Sequence, residues 1–424
     1  MNSLSLFYSK IRNLVVSLHK MNSFDFIFTE EFEKWLAEIR ATDINRLRLK
    51  EASAFPFDKG LSLTQLECRR KAGSKIPELA QKIAYPTEVS IEQCSSQQPA
   101  RMHASLFKGI KKVADLTCGL GVDSYYISQC VEQLASIDAS PVVAEAATLN
   151  FSKLGCKNIT VVNDTAEHFL QHHDNDFDAA FVDPSRRLTD DRNVRTIAIA
   201  DTVPNVSKIL SLLSERCRFL IVKASPMVDI SQTIRDFPSI SDIWVLSVKN
   251  ECKELLFKIV RHNIPDNIYI HCINYAADKA HSYTAQRRKQ PEVAKAKPEK
   301  GAYLYIPNSS VMKAGLYDDV AEKFAICAAA DNSHLYFSHA QHPDYPGNIM
   351  EVADVFSMSK ADVKRLSKSI EAAMITCRNF PMNPEELRKR LKIKDGGTHH
   401  IYATTTYDNQ RLLILCLNRN MTSS

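Results

Sequence analysis

Residues 112–187 constrain this chain more than any other stretch. An apolar run, Val113-Ala114-Asp115-Leu116, turns through Thr117-Cys118-Gly119-Leu120-Gly121 into a helical pattern. A second apolar run ends in Asp138, a third (159–162) ends in Asn163-Asp164, and a fourth (179–182) ends in Asp183-Pro184-Ser185-Arg186-Arg187. Four successive strand candidates therefore carry an acidic residue at or near the C-terminal end, with helical patterns between them. Such alternation reads as βαβ units, and parallel strands bring their C-terminal ends to one rim, where open sheets bind ligands. A fifth strand (219–222) ends in Lys223-Ala224-Ser225-Pro226. The sixth (243–248) and seventh (254–260) are separated only by a short turn around 249–252, too short for a parallel crossover, so they pair antiparallel. The fold class is α/β: a doubly wound parallel sheet with one antiparallel edge strand.

The rest of the chain divides around that sheet. At 424 residues it is long for one domain. Residues 1–20 read as a lead-in, either disordered or an upstream start-site choice, before a second Met at position 21. Residues 21–105 read as helical. Phe32, Trp35, Leu36 and Ile39 share one face, 61–73 forms a second helix, and 76–84 a third, stopped by Pro86. The polar segment 90–98 reads as a loop and helix cap. The sheet region spans 106–262 and includes a long helical pattern over 191–215.

A small α+β unit follows over 264–348. It has a strand at 268–273, a basic stretch at 279–300 (either a flexible excursion or a long exposed loop), a strand at 302–306, a helix at 311–330 and a strand at 334–337. The last unit, 349–424, opens with a strand at 349–356. A helix at 359–374 follows with Ser359 as its N-cap, then a basic helix at 384–391 and strands at 400–405 and 412–417.

Composition removes several function classes. No apolar run reaches the roughly 18 residues a membrane helix needs. The eleven Cys are odd in number, lack a C-x-x-C pair and form no His/Cys cluster at metal spacing. That pattern argues for reduced thiols in a cytoplasmic protein and against a zinc or iron–sulfur site. A net charge of +5 permits a polyanionic partner without demanding one.

The strand ends carry the chemistry. The glycine turn is too short for a G-x-G-x-x-G phosphate fingerprint, because Ser124 stands at the third glycine's place, and it lacks a P-loop Lys. Gly119 and Gly121 let backbone approach a ligand closely, while Asp115 is placed to accept from a cationic amino group. Asp138, about twenty residues on, is placed to hold a ribose diol. Asp164 is placed to accept from an adenine amine. Amino-acid moiety, ribose and adenine together describe S-adenosylmethionine. Thr117, Cys118, Ala139, Thr165 and Asp183 complete the expected cofactor set, with no metal among the ligands.

This series resembles the class I S-adenosylmethionine-dependent methyltransferases, whose Rossmann-like sheet also ends in an antiparallel hairpin. More closely, the chain resembles a bacterial group of these enzymes with a THUMP-like C-terminal domain. The resemblance rests on Glu92-Gln93-Cys94-Ser95-Ser96, on 115–123, 182–187, 223–230 and 250–256, and on Arg378-Asn379-Phe380-Pro381 and Lys394-Asp395-Gly396-Gly397. It implies a ferredoxin-like domain near 264–348, a THUMP-like domain over 349–424, and binding to structured RNA.

By the same resemblance, Asp183-Pro184-Ser185-Arg186-Arg187 stands where amino-directed nucleic-acid methyltransferases carry Asp/Asn-Pro-Pro-aromatic. There the acidic or amide side chain and a backbone carbonyl hold the target amine, and the ring stacks on the base. This chain keeps Asp183 and Pro184 but puts Ser185 and Arg186 in the other two places. Arginine stacks on bases and binds phosphate, which keeps nucleic acid in play. Lys223 and Ser225, at the fifth strand's tip, are expected to face the same cleft. The expected catalytic set is Asp183, Pro184, Ser185, Arg186, Lys223 and Ser225. The basic stretch at 279–300 and the basic helix at 388–392 would supply salt-sensitive phosphate contacts. Three readings follow: an RNA methyltransferase, a methyltransferase for a small molecule or protein, or an RNA-binding protein that keeps the cofactor fold without turnover.

Overall fold

The computed structural model describes residues 23–173, 176–186, 199, 202–262, 264–276 and 280–417. The expected lead-in lies outside the described residues, as do Arg187 and most of the first half of the helical pattern expected at 191–215. The chain forms two compact units: Met1–Ala224 with Ser231–Ser239 and Phe257–Ile264, and Ser225–Ile230 with Ile240–Leu256 and Pro265–Ser424.

In the first unit, helix Glu30–Ile39 starts at Thr29, whose Oγ1 accepts from Phe32 N at 3.2 Å, and helix Lys59–Lys75 starts at Asp58, whose Oδ1 accepts from Leu61 N at 2.7 Å. Their apolar faces meet: Phe32, Leu36, Leu63 and Leu66 are buried in one cluster with Phe24 and Ile27, and Trp35 and Ile39 pack against it. Residues 77–82 form turns rather than the expected helix, because Pro77 breaks the ladder that Lys59–Lys75 would continue. The segment expected as a loop at 90–98 is instead mostly helical. Helix Glu88–Gln93, capped by Thr87, is followed by helix Gln97–Ser105.

Five parallel strands carry this unit: β1 (Lys112–Asp115), β2 (Gln133–Asp138), β3 (Ile159–Asn163), β4 (Ala179–Val182) and, after the two-residue strands β5 (Ser185–Arg186) and β6 (Thr202–Val203), β7 (Phe219–Ala224). Their order is β7-β4-β1-β2-β3. Asp115 pairs with Ser136, and Asp138 with Asn163, so the C-terminal tips align along one rim. Helix Val206–Leu212 is the described part of the helical pattern before β7.

In the second unit, β8 (Ile240–Val248) and β9 (Glu251–Val260, whose last residues belong to the first unit) are joined by Lys249 and Asn250. Both turn residues have positive φ, 51° and 62°, the conformation a two-residue hairpin requires. The hairpin does not end its sheet, as the sequence suggested. β10 (Tyr269–Tyr275) pairs with β8 in parallel, and β11 (Ala280–Gln286) pairs antiparallel with β10. The basic stretch is therefore not a free loop. Its first part is β11, and three of its later cations are held: Arg288 by Asp319 and Glu322, Lys295 by Asp331 at 2.6 Å, and Lys297 by Asp408 at 2.6 Å.

A seven-stranded sheet follows, formed by β12 (Tyr303–Pro307), β13 (Cys327–Ala328), β14 (Tyr336–Ser338), β15 (Gly347–Ser357), β16 (Met374–Cys377), β17 (His399–Thr405) and β18 (Arg411–Leu417), in the order β13-β14-β12-β15-β18-β17-β16. The helix expected over 311–330 is two, Ser309–Ala314 and Tyr317–Lys323, parted at Gly315 with φ 71°. The helix expected to reach 374 ends at Ser369, so that Met374–Cys377 can pair as β16. Side chains of β17 and β18 alternate between two cores. Ile401, Ala403, Leu413 and Leu415 pack with helices Lys360–Ser369 and Pro384–Leu391, while Tyr402, Ile414 and Cys416 pack with Leu304 and Phe337. Among the described residues no helix is long and apolar enough to cross a membrane.

Candidate active site

At the rim of the first unit's sheet lies a cleft of about 440 Å³. Its wall includes Thr117, Cys118, Gly119, Gly121, Asp138, Ala139, Asp164, Thr165, Asp183 and Ser185, together with Thr87, Gln93, Cys94 and Ser95 from the helical region. The turn after β1 is fastened on both sides. Cys118 N donates to Ile137 O at 2.7 Å, and Asp183 N donates to Thr117 Oγ1 at 2.7 Å. Gly119 and Gly121 both have positive φ, 54° and 81°. A Cβ on Gly121 would stand 2.7 Å from Phe151 Cζ, so this position accepts no side chain, whereas a Cβ on Gly119 would meet nothing within 4 Å.

Asp138 receives Gly119 N at Oδ2 (2.8 Å) and Ser140 N at Oδ1 (2.9 Å). A carboxylate offers about four lone-pair sites, so both oxygens keep capacity for further donors. Asp164 accepts Thr165 N at 2.8 Å and faces His168 Nδ1 at 2.7 Å; that histidine contact, against desolvation, holds its carboxyl below the usual range.

Asp115 is not on the cleft wall. It is fully buried, where Thr117 N donates to Oδ1 at 3.0 Å and Ser124 Oγ donates to Oδ2. Burial pushes its carboxyl up to about 7. In this position it braces the turn from behind.

Asp183 and Lys223 come together: Lys223 Nζ donates to Asp183 Oδ2 at 2.6 Å. Beside them is a group that sequence reading did not assemble, and its Ser95 and Asp123 also line the cleft. Lys223 Nζ also donates to Ser95 Oγ at 2.8 Å, Ser95 Oγ donates to Asp123 Oδ2 at 2.6 Å, and His103 Nδ1 stands 2.7 Å from Asp123 Oδ1. Ser95, His103, Asp123 and Lys223 are each less than a tenth exposed. Burial alone would raise Asp123, but the charges of His103 and Lys223 overcome it and hold the carboxyl at about 2. Asp123 and Ser95 fall inside motifs visible in the sequence; His103, twenty positions from its partner, carried no signal of its own.

The other expected residues are more dispersed. Ser185 Oγ donates to Val203 O at 3.2 Å, Pro184 lies between it and Asp183, and the Arg186 backbone pairs with Thr202. Ser225 belongs to the second unit, where its Oγ accepts from Met227 N at 3.3 Å. Among the described residues no group of three His, Cys, Asp or Glu could hold a metal ion.

Comparison with known proteins bears on the fold and the C-terminal domains. A family described as THUMP domain-like matches residues 347–418, and one described as a ferredoxin-like domain matches residues 303–346. A search of curated proteins finds no match. Among solved structures, a "putative methyltransferase" from Porphyromonas gingivalis W83 is 26% identical with a TM-score of 0.79, covering 92% of this chain and 99% of that one. An rRNA methylase from Streptococcus thermophilus is 15% identical (TM-score 0.28; 38% of this chain, 94% of that one). TrmK of M. capricolum in complex with S-adenosyl-homocysteine is 12% identical (TM-score 0.30; 43% and 70%). The chain thus has the class I methyltransferase fold and bears the ferredoxin-like and THUMP-like domains of the bacterial group it resembles.

Proposed function

We propose that this chain is an S-adenosylmethionine-dependent methyltransferase acting on a base in structured RNA, rRNA or tRNA, with residues 106–262 as its catalytic domain. One observation carries the reading: Gly119, Gly121, Asp138, Ala139, Asp164, Thr165 and Asp183, drawn from the ends of four strands, line a single cleft. Its volume, about 440 Å³, falls within the roughly 300–1,000 Å³ of small-molecule sites. The donor set fits the cofactor. Asp138 retains acceptor capacity for a diol, Asp164 for an amine, and the turn at Gly119 presents backbone without a side chain.

When bound, S-adenosylmethionine supplies a methyl group on a sulfonium, already activated for transfer. The protein's own task is then mostly placement. Asp138 and Asp164 orient the nucleoside part. The turn at Thr117–Gly121, braced from below by Asp115, supports the other end. Asp183 accepts from the target's N–H, and Lys223 fixes the carboxylate that does so. The target base has to be unstacked to reach such a cleft. RNA as the acceptor is supported by the THUMP domain-like match and by exposed cations of the same unit, Lys389, Arg390 and Lys392.

The test is transfer of labelled methyl to RNA from cells lacking this gene, followed by mass spectrometry of nucleosides from deletion and wild-type strains. One nucleoside losing its methyl in the deletion strain is the expected result. Label entering metabolites or proteins instead would overturn RNA as the acceptor.

A further inference from the structure

Lys223 lies between two carboxylates, and its choice between them needs an explanation. Nζ is 2.6 Å from Asp183 Oδ2 and 4.0 Å from Asp123 Oδ2; both carboxylates line the cleft, and Asp123 is the more buried of the two. With the side chain under a tenth exposed, an ammonium short of partners would be costly, and either carboxylate would attract it. Contact with Asp123 would bury the ion pair more completely and withdraw the lysine from Asp183.

The interior contacts work against that outcome. Asp123 already has a partner at each oxygen: His103 Nδ1 at Oδ1 (2.7 Å) and Ser95 Oγ at Oδ2 (2.6 Å). The Ser95 hydroxyl has two faces. It donates its proton to Asp123 and accepts one from Lys223 Nζ at 2.8 Å, so it stands as a neutral spacer between ammonium and inner carboxylate. Ser95 follows Cys94 in the turn between helices Glu88–Gln93 and Gln97–Ser105, and His103 sits on the second of these helices. One short helical segment therefore brings both residues that satisfy Asp123.

We propose that Ser95, Asp123 and His103 are positioning residues that direct Lys223 onto Asp183, and that the Ser95 hydroxyl is the element that decides the lysine's direction. The proposal rests on the function given above only for its catalytic readout; its geometric readout is independent. Ser95→Ala removes the spacer and lets Nζ move toward Asp123. Ser95→Thr keeps a hydroxyl at the same atom and restores the native arrangement.

The experiment compares the full-length protein with both variants in two assays. In crystal structures, Nζ of Ser95→Ala is expected within 3 Å of Asp123 and beyond hydrogen-bond reach of Asp183, with the native contact retained in Ser95→Thr. In methyl transfer to RNA from cells lacking this gene, Ser95→Ala should lose at least ten-fold in kcat, with S-adenosyl-homocysteine affinity within two-fold of wild type; Ser95→Thr should recover most of the rate. A lysine that stays on Asp183 in Ser95→Ala overturns the proposal, as does unchanged turnover or an equal loss in Ser95→Thr. If the wild-type protein transfers no methyl to RNA, the proposed function fails, and the lysine's position in the variants still decides this inference.

Discussion

Around the cleft, Asp115, Asp123, His103 and Lys223 are almost wholly buried and bonded to one another, to serine hydroxyls or to backbone. The seven-stranded sheet of the second unit is built differently. Its two cores are filled by aliphatic and aromatic side chains such as Leu387, Leu413, Ile414 and Phe337, and cations such as Lys295 and Lys297 are paired at the surface. Apolar burial stabilises at roughly 25 cal/mol per Å², whereas burying charge costs free energy even when every partner is present. The sheet of the second unit is arranged as a stable body. The cleft gives up stability to hold ionisable groups in fixed positions, the pattern found where proteins do chemistry.

The largest effect expected in the first region is a pH dependence set by one buried carboxyl. Asp115 has a folded-state value of about 7 against an ordinary 3.8. Its folded form binds a proton that the unfolded form releases, so its contribution to stability falls as pH rises from about 4 to about 7. The change amounts to about 4 kcal/mol over that window. Asp123, held at about 2, acts in the opposite sense, and its contribution is lost only as pH falls from about 4 toward 2. Urea denaturation between pH 4 and 7 should therefore show a falling contribution that Asp115→Asn removes. A variant with the wild-type pH slope would contradict this.

The second unit should respond to lost volume instead. Leu387 is fully buried in the core beneath helix Pro384–Leu391, and Leu387→Ala should cost about 3 kcal/mol by denaturant titration. A cost below about 1 kcal/mol would mean the core is loosely packed. The smallest effect belongs to Lys297→Ala. It breaks a pair with Asp408 that is open to solvent, so no measurable shift of the unfolding midpoint is expected.

What the sequence disclosed follows the same division. The strand tips were legible because each strand is a short apolar run that stops at a charged or turn residue, and parallel topology does the rest: Asp138, Asp164 and Asp183 line one cleft. Helix Pro384–Leu391 was legible as a basic helix, and the structure fixes its start with the Asn383–Glu386 capping box. The buried group beside Asp183 was not legible. Ser95 and Asp123 are 28 positions apart, and Ser95 and Lys223 are 128 apart, so no local period links them. Asp115 looked like a ligand because it ends a strand, yet the chain turns over it and packs Ser124 against its carboxyl. β11 was hidden by its own composition: small and polar residues ahead of a basic run read as a loop until a neighbouring strand supplies the hydrogen bonds.

The proposed activity requires the cleft to be a cofactor site in which Asp138 holds the ligand. Calorimetric titration of the full-length protein with S-adenosyl-homocysteine tests this directly. One molecule should bind per chain, and Asp138→Ala should weaken binding by about 10- to 100-fold, the loss expected for hydrogen bonds to a charged acceptor. No binding by the wild-type protein, or equal binding by the Asp138→Ala variant, would contradict the account.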